Sequence, residues 1–520
     1  MNASPHDIRG RGPQLAIPDG SLAAFALRHA VAHASRPALI EAATGRKITY
    51  AELLARVRSF AGALRAQGLR RGDVLALLAP NSPEYAVAAL GTLWAGGVLT
   101  TLNPSYTERE VRAQLLDSGA LRVVTTQALE PVARAAMSGT TAQRLDLLEQ
   151  LPSGTPIDCE AVPGDSLAAL LYSSGTTGIP KGVMLTHRAL IANLLQTAAV
   201  LGCTHDDVII AVLPFFHCYG LQVCLNMGLA HGAAVVTMPR FDLQGFLGAH
   251  SRHRVTMSFV APPIMVALAK HPQLGDFDLS SLRFMLSGAA PMSAELGAEV
   301  AQRVGCRVLQ GYGMTELGPV SHITPRDAIK PGSVGLPVTN SVNRVVDVAT
   351  GAPLPPDRDG ELWVRSDAGM SGYLNQPQAT AATLDAEGWV HTGDIARIDA
   401  DGHVYIVDRL KELIKVSGFQ VAPAELEGLL LTHPAVADAA VIGVADEKHG
   451  EVPIGFVVLK SGATATADEI MAFIARDTAH YKHLRRVEFI AAIPKSPSGK
   501  ILRRVLRDTV ATRPAAGTGG

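Results

Sequence analysis

The chain has 520 residues, 48% of them apolar, with 46 Lys plus Arg against 47 Asp plus Glu and a formal net charge of −1. That length exceeds one ordinary core and calls for at least two domains, one of them large, while the balanced charge argues against nucleic acid or another polyanion as partner. Five scattered cysteines, Cys159, Cys203, Cys218, Cys224 and Cys306, have neither disulfide-scaffold nor zinc spacing, which fits a reducing cytoplasm.

The N-terminal run MNASPHDIRGRGPQ lacks a basic stretch followed by an apolar one, so it signals neither export nor an anchor. Thr49-x-x-Glu52 is a capping box that opens a helix with Tyr50, Leu53, Leu54, Val57 and Leu64 as its apolar stripe, ended near Gly68. A strand follows at Val74 to Leu78, then a helix started by Ser82-Pro83, a strand from Val98 to Thr101, a helix capped by Thr107-x-x-Glu110, and a strand from Leu121 to Thr125. Such βαβ alternation predicts a largely parallel, doubly wound α/β sheet. The apolar stretch from Leu213 to Met238 is interrupted by His217, Gln222, Asn226 and His231, which reads as buried sheet and helix and not as an integral-membrane span. Beyond Asp408 the rhythm changes. A short helix at Pro423 to Leu431, strands near Ala439–Val444 and Ile454–Leu459, a helix carrying Ile470, Phe473 and Ile474, and a strand over Val487 to Ile493 form a small α+β unit. The expected domains are 1–408 and 409–520, with an Ala/Gly/Pro tail over 512–520 read as disordered.

The segment Tyr172-Ser-Ser-Gly-Thr-Thr-Gly-Ile-Pro-Lys-Gly182, preceded by a strand-like run from Leu167, reads as a phosphate loop. Gly175, Gly178 and Gly182 let backbone N–H groups turn inward, Ser173, Ser174, Thr176 and Thr177 add hydroxyls, and Lys181 adds positive charge. A surface turn shares the composition but not the density of phosphate-suited groups. It is no Walker A loop, because Gly182 stands where Ser or Thr would follow the lysine, and this weakens a kinase or motor-ATPase reading. In Gln310-Gly-Tyr-Gly-Met-Thr-Glu316, Thr315 and Glu316 can reach a phosphate and a divalent cation, and magnesium is the natural ion for one carboxylate plus substrate phosphates. Tyr312 reads equally as a core aromatic. Asp394 of His391-Thr-Gly-Asp394 suits a ribose diol, Asp408-Arg409 offers a second ribose or phosphate contact, and Pro494-Lys-Ser-Pro-Ser-Gly-Lys500 exposes a lysine on a glycine-containing loop.

In order and spacing these segments resemble the adenylate-forming superfamily of acyl-CoA synthetases, adenylation domains and luciferases, over nearly the whole chain. Leu213-Pro-Phe-Phe-His-Cys-Tyr-Gly220, Ala261-Pro-Pro, Ser287-Gly-Ala-Ala-Pro291, Asp408-Arg-Leu-Lys-Glu-Leu-Ile-Lys415 and Gly418-Phe-Gln-Val-Ala-Pro-Ala-Glu-Leu-Glu427 look most like 4-coumarate–CoA ligases and their bacterial relatives. The resemblance implies a large N-terminal domain of mainly parallel sheets flanked by helices and a small mobile C-terminal α+β domain. It implies a ligase that takes ATP, Mg²⁺ and coenzyme A, converts a carboxylic acid to its acyl-adenylate with release of pyrophosphate, and passes the acyl group to coenzyme A.

By that resemblance, residues 173–181 wrap the β- and γ-phosphates, and Thr176 with Glu316 serves the metal. Gly288, Ala289, Ala290, Gln310, Gly311 and Tyr312 bound the adenine, Asp394 and Arg409 hold the ribose, and Ile406 packs nearby. Lys500 bridges the substrate carboxylate and α-phosphate, where charge accumulates as pyrophosphate departs. The second half-reaction must admit a thiol and keep water out. The family meets this need by turning the small domain about a hinge, which maps to Lys411, and replacing the Lys500 loop with Val416-Ser417-Gly418-Phe419; Lys415 and Gln420 act in that arrangement. His217 matches a position beside the carboxylate and the thiol channel, although a satisfied core histidine is the commoner fate of such a residue. Cys218, Tyr219, Val223, Leu286, Ala289, Gly311, Gly313, Pro319 and Val320 line an acyl slot without charge, suited to a flat aryl acid such as a hydroxycinnamate and also to a medium-chain fatty acid. Val416-Ser417 and Arg365-Ser366 depart from the Tyr-Lys and Arg-Gly usual in plant-type ligases. A carrier-protein phosphopantetheine arm is the rival acceptor.

Overall fold

The structure, a computed structural model, describes residues 5–173, 180–410, 412–416, 419–446, 449–496 and 499–511, without the side chains of Gln420 and Ala511. Of the expected site, residues Ser174, Gly175, Thr176, Thr177, Gly178, Lys411, Ser417 and Gly418 lie outside the described residues, as does the tail 512–520. The chain packs as two compact units, Met1–Asn343 with Trp363–His391, and Arg344–Leu362 with Thr392–Gly520.

The first unit is the α/β body. Local signals set its early elements. Both capping boxes form, Thr49 with Glu52 at helix Tyr50–Ala66 and Thr107 with Glu110 at helix Glu108–Ser118, and Ser82 caps helix Pro83–Trp94. Strands Val74–Leu78, Val98–Leu102, Arg122–Thr125, Arg144–Leu147 and Leu167–Ser173 run parallel in a seven-stranded sheet. Strands Lys181–Thr186 and Gly372–Tyr373 close one edge antiparallel. A nine-stranded sheet has six parallel central strands, in the order Arg307–Gly313, Phe284–Ser287, Met257–Val260, Val208–Ala211, Ala234–Thr237 and Pro37–Glu41. One core joins faces of both sheets through the near-continuously buried helices Pro83–Trp94 and His187–Leu201. Separate apolar clusters cover each sheet's other face. Strands buried on two sides explain why the sequence shows apolar runs where strict alternation would otherwise appear.

The stretch from Leu213 to Met238 is buried as expected. It holds a π-helical turn Gly220–Asn226 that continues into helix Met227–Ala230 and strand Ala234–Thr237. Among the described residues no helix is long and apolar enough to cross a membrane.

The second unit is α+β. Strands Ile414–Val416, Phe419–Val421, Val436–Asp446, Gly450–Leu459 and Arg486–Phe489 form one mixed sheet under helices Pro423–Thr432, Ala467–Asp477 and Arg503–Ala511. The last strand is shorter than its apolar run to Ile493, because its pairing with Gly450–Leu459 ends at Phe489 opposite Val457.

Candidate active site

The strands that flank the phosphate-loop segment pair antiparallel as the two arms of a hairpin. Ser173 ends one strand and pairs with Lys181, which begins the next. A Walker A loop would instead run into a helix N-terminus. Ser173 Oγ donates to Glu316 Oε1 at 3.0 Å, so hairpin base and candidate metal carboxylate meet. Glu316 is buried in a short turn, Thr315–Leu317, that follows strand Arg307–Gly313. The same oxygen accepts the Tyr373 hydroxyl at 2.8 Å. Tyr172, on the hairpin's first strand, donates to Asp117 Oδ2 at 2.7 Å.

The adenine candidates lie at the C-terminal ends of adjacent parallel strands, where Ser287 pairs with Gln310. Such strand ends are the general location of ligand sites in open α/β sheets. Gly288, Ala289 and Ala290 follow directly, anchored by Gly288 N–H to Val260 O at 3.1 Å. Ala289 has a φ of +70°, a left-handed conformation that costs a residue with a Cβ on the order of 1 kcal/mol and persists where surroundings enforce it. Tyr312 lies 5.7 Å, centroid to centroid, from His322. His322 is fully buried between Ser321 Oγ and Asn343 Nδ2, and burial pushes its pKa down to about 3, so it is a neutral prop for this strand.

The slot residues also come together. Cys218 Sγ lies 3.3 Å from Thr315 Oγ1, and Tyr219 OH reaches Leu286 O at 3.4 Å. A Cβ at Gly288 would stand 3.1 Å from the Tyr219 ring, and one at Gly311 would stand 3.2 Å from Leu286. Gly313 pairs with Val320 so closely that a Cβ would lie 1.9 Å from Pro319 O. Val223 projects from the π-helical turn and is buried. His217 Nδ1 accepts the Tyr219 N–H at 3.2 Å, which leaves Nε2 as the donating nitrogen of the neutral ring.

Two buried asparagines that sequence reasoning passed over hold this geometry. Asn81 accepts the Phe215 N–H at 2.7 Å and donates to the carbonyls of Ala211 and Leu213, fixing the turn that precedes His217. Asn193 donates to the carbonyls of Leu317 and Val320, fixing the turn that carries Pro319. The sequence signal for Asn193 was a polar amide inside an otherwise apolar helix, whereas Asn81 lies in the connection between strand Val74–Leu78 and helix Pro83–Trp94 and carried no such signal.

In the second unit, Asp394 and Arg409 face each other across an antiparallel pair, and Arg409 Nε lies 3.0 Å from Asp394 Oδ1. Asp394 is buried, and Ile406 stands on the same partner strand, opposite Ala396. Asp408, read from sequence as part of a ribose or phosphate contact, is engaged elsewhere, since its carboxylate accepts the N–H groups of Arg409 and Ala424 at 2.6 and 2.8 Å. It thereby caps helix Pro423–Thr432, whose own N-cap residue Ala422 has no side-chain acceptor. Lys500 O accepts the Ser496 N–H at 2.8 Å, next to an antiparallel bridge between Lys495 and Ile501. Lys415 is exposed and pairs in register with Gln420, and Phe419 stacks on Tyr481 at 4.5 Å.

Residues 27–374 match the family model described as AMP-binding enzyme, and residues 425–500 match its C-terminal domain. The chain is 43% identical to 4-coumarate–CoA ligase 2 of Nicotiana tabacum over 97% of both chains, and 43% identical to 4-coumarate–CoA ligase 1 of Petroselinum crispum over 91% of both. Among solved structures it is similar to ATP-bound MatB of Rhodopseudomonas palustris, at a TM-score of 0.88 and 31% identity over 94% of this chain and 99% of that one. An anthranilate CoA ligase, AuaEII, in complex with anthranoyl-AMP superposes with a TM-score of 0.88 and 26% identity over 95% and 98%. With its family matches covering the phosphate hairpin, the Glu316 turn and the Lys500 loop, the chain belongs to the AMP-binding enzymes.

Proposed function

We propose that this protein is an AMP-forming carboxylate–CoA ligase: it condenses a carboxylic acid with ATP to an acyl-adenylate and pyrophosphate, then transfers the acyl group to coenzyme A. One observation carries the reading, the junction of Ser173, at the end of the strand that enters the phosphate segment, with buried Glu316, whose neighbour Thr315 lies 3.3 Å from Cys218 Sγ. The family match and the ligase names of the relatives support it.

Magnesium fits Glu316. Among the described residues no cluster of three His, Cys, Asp or Glu could cage a metal, and Mg²⁺ is commonly held by one or two carboxylates with substrate phosphates and water. Glu316 with Thr176 would hold the ion, and its chemistry would be neutralisation of charge on the departing pyrophosphate. The remaining work belongs to side chains. Ser173 to Lys181 grip the phosphates, Gln310, Gly311 and Tyr312 with Gly288, Ala289 and Ala290 enclose the adenine, and Asp394 and Arg409 orient the ribose. Lys500 stabilises the charge shared by carboxylate and α-phosphate in the in-line displacement. His217 presents Nε2–H beside the substrate carboxylate, and Thr315 orients the same region.

For the second step we assign the hinge to Lys411, with 1–408 and 409–520 as the moving parts. The Val416 to Phe419 loop, Lys415 and Gln420 then serve the thiol, and Gly418 gives pantetheine close access. The acid is a flat aryl acid of the 4-coumarate type, a reading supported by the uncharged residues Tyr219, Gly311 and Gly313 and by the names of the relatives; a medium-chain fatty acid is the second candidate. Five cysteines that all stand as free thiols accord with a cytoplasmic site of action.

The test incubates enzyme with Mg²⁺-ATP and a panel of aryl and medium-chain acids, with coenzyme A, with a phosphopantetheinylated carrier protein, or with neither acceptor, and follows AMP and thioester by mass spectrometry. AMP with coenzyme A thioester is expected. ADP as product, or no AMP with any acid, would sink the proposal.

A further inference from the structure

Tyr373 belongs to none of the motifs that carry the adenylation reading, yet it touches two of its charged groups. It lies in the short strand Gly372–Tyr373, paired antiparallel with the strand that begins at Lys181. Leu374 N–H donates to Gly182 O at 2.8 Å, Ser371 N–H to Met184 O at 2.9 Å and Met370 N–H to Glu316 O at 2.9 Å. The segment from Met370 to Leu374 is thus fastened on one side to the lysine strand and on the other to the carboxylate turn. Gly372, at a φ of +139°, lets the segment lie against Thr380, whose Oγ1 accepts the Tyr373 N–H at 2.9 Å.

The side chain repeats the connection. The buried Tyr373 hydroxyl donates to Glu316 Oε1 at 2.8 Å, and Lys181 Nζ stands 4.7 Å from the centroid of the same ring. An ammonium over a tyrosine face is attracted by the ring quadrupole. A phenol O–H to a carboxylate is a charge-assisted bond. Burial first, and then the negative charge of Glu316, push the Tyr373 phenol up from its ordinary range, so it stays a donor at neutral pH. With Ser173 as second donor to the same oxygen, the Glu316 carboxylate is held in one orientation.

We propose that Tyr373 is a positioning residue for adenylation, presetting Glu316 toward the metal and Lys181 toward the phosphates before Mg²⁺-ATP arrives. This rests on the ATP-site reading above. A tyrosine serving only as core filling would keep its value as phenylalanine, whereas a positioning hydroxyl would not.

The test uses the full-length chain with Tyr373→Phe, Tyr373→Leu, Glu316→Gln and the Glu316→Gln/Tyr373→Phe pair. ATP–pyrophosphate exchange with the best acid of the panel is titrated with Mg²⁺. Thioester formation from presynthesised acyl-adenylate is measured alongside. Tyr373→Phe is expected to raise the Mg²⁺ concentration for half-maximal exchange about tenfold while the second half-reaction stays close to the parent rate. Tyr373→Leu should also raise the KM for ATP at saturating Mg²⁺ by about threefold. In the Glu316→Gln background, Tyr373→Phe should add little. An unchanged Mg²⁺ response in Tyr373→Phe, with Glu316→Gln strongly shifted, overturns this inference and leaves the ATP-site reading standing. An unchanged response in Glu316→Gln overturns that reading and this inference with it. Equal loss of both half-reactions together with a lowered melting temperature in Tyr373→Phe also overturns it, since that is a structural role.

Discussion

Arg503 forks onto Glu427, its Nη2 lying 2.7 and 2.8 Å from the two carboxylate oxygens, with both side chains largely buried. The carboxylate also accepts the Val441 N–H at 2.8 Å, and Arg503 Nε donates to Val441 O at 3.2 Å. One ion pair therefore ties helix Pro423–Thr432, strand Val436–Asp446 and helix Arg503–Ala511, which begins shortly after Lys500. Burial pushes the Glu427 carboxyl up, and the Arg503 charge opposes that shift. Replacing Arg503 with Met leaves a buried charge without its ion-pair partner, which costs about 3–5 kcal/mol. Chemical denaturation is expected to show the second unit melting early, and adenylation should fall with it because the Lys500 turn loses its support.

Lys500→Ala separates the half-reactions. Adenylate formation, followed by pyrophosphate exchange, should drop about a hundredfold or more, on the scale of a removed transition-state charge donor. Thioester formation from presynthesised adenylate should stay near the parent rate. Equal loss of both would refute the assignment of Lys500 to the first step.

Asn81 makes three buried hydrogen bonds to the Ala211–Phe215 backbone. Asn81→Ala strands an N–H and two carbonyls, at a cost of about 2–3 kcal/mol. The urea midpoint is expected to fall, and the KM for the acid should rise more than the KM for ATP, because the turn leads to His217 and the slot.

Gly288→Ala places a Cβ 3.1 Å from the Tyr219 ring. Overpacking of this kind costs about 1–3 kcal/mol. The acid KM is expected to rise about tenfold, more steeply for wide aryl acids than for narrow chains, and comparison across the panel checks this.

Acid should destabilise the large unit through buried histidines. Burial pushes His187 and His250 down to about 4 and His322 to about 3, so the folded protein keeps them neutral. The unfolded chain takes up these protons near pH ~6.5, so their stabilising contribution is complete above that value. It is lost as pH falls through about 6.5 toward about 4, since only the unfolded state binds protons there. Urea midpoints at about pH 7.5 should exceed those at about pH 5, and His250→Gln should lessen that slope by about one proton.

Elements governed by near neighbours in sequence were legible. The capping boxes at Thr49 and Thr107 form as read, because donor and acceptor lie three residues apart. The assignments of the phosphate segment, Glu316 and the slot residues come from short motifs in which their chemistry is concentrated, and the structure brings Ser173 and Glu316 within hydrogen-bond distance. Tyr373, Asn81 and Asn193 were not: each is one polar residue, and the bonds that join Tyr373 to Glu316, Asn81 to Ala211, Leu213 and Phe215, and Asn193 to Leu317 and Val320 span 57 to 134 positions. Asp408 was legible as a charged residue at a motif, but its role as cap for the helix beginning at Pro423 depends on chain reversal.

By itself the sequence determined the parallel α/β body, the small α+β unit and the presence of an AMP-binding site, because periodicity, capping and dense motifs are local properties. Only the tertiary structure decided that Ser173 and Tyr373 meet on one oxygen of Glu316, that Asn81 and Asn193 lock the turns next to His217 and Pro319, and that Asp408 caps a helix. Those relationships depend on which strands become neighbours, and buried polar groups must then find partners wherever the fold brings them.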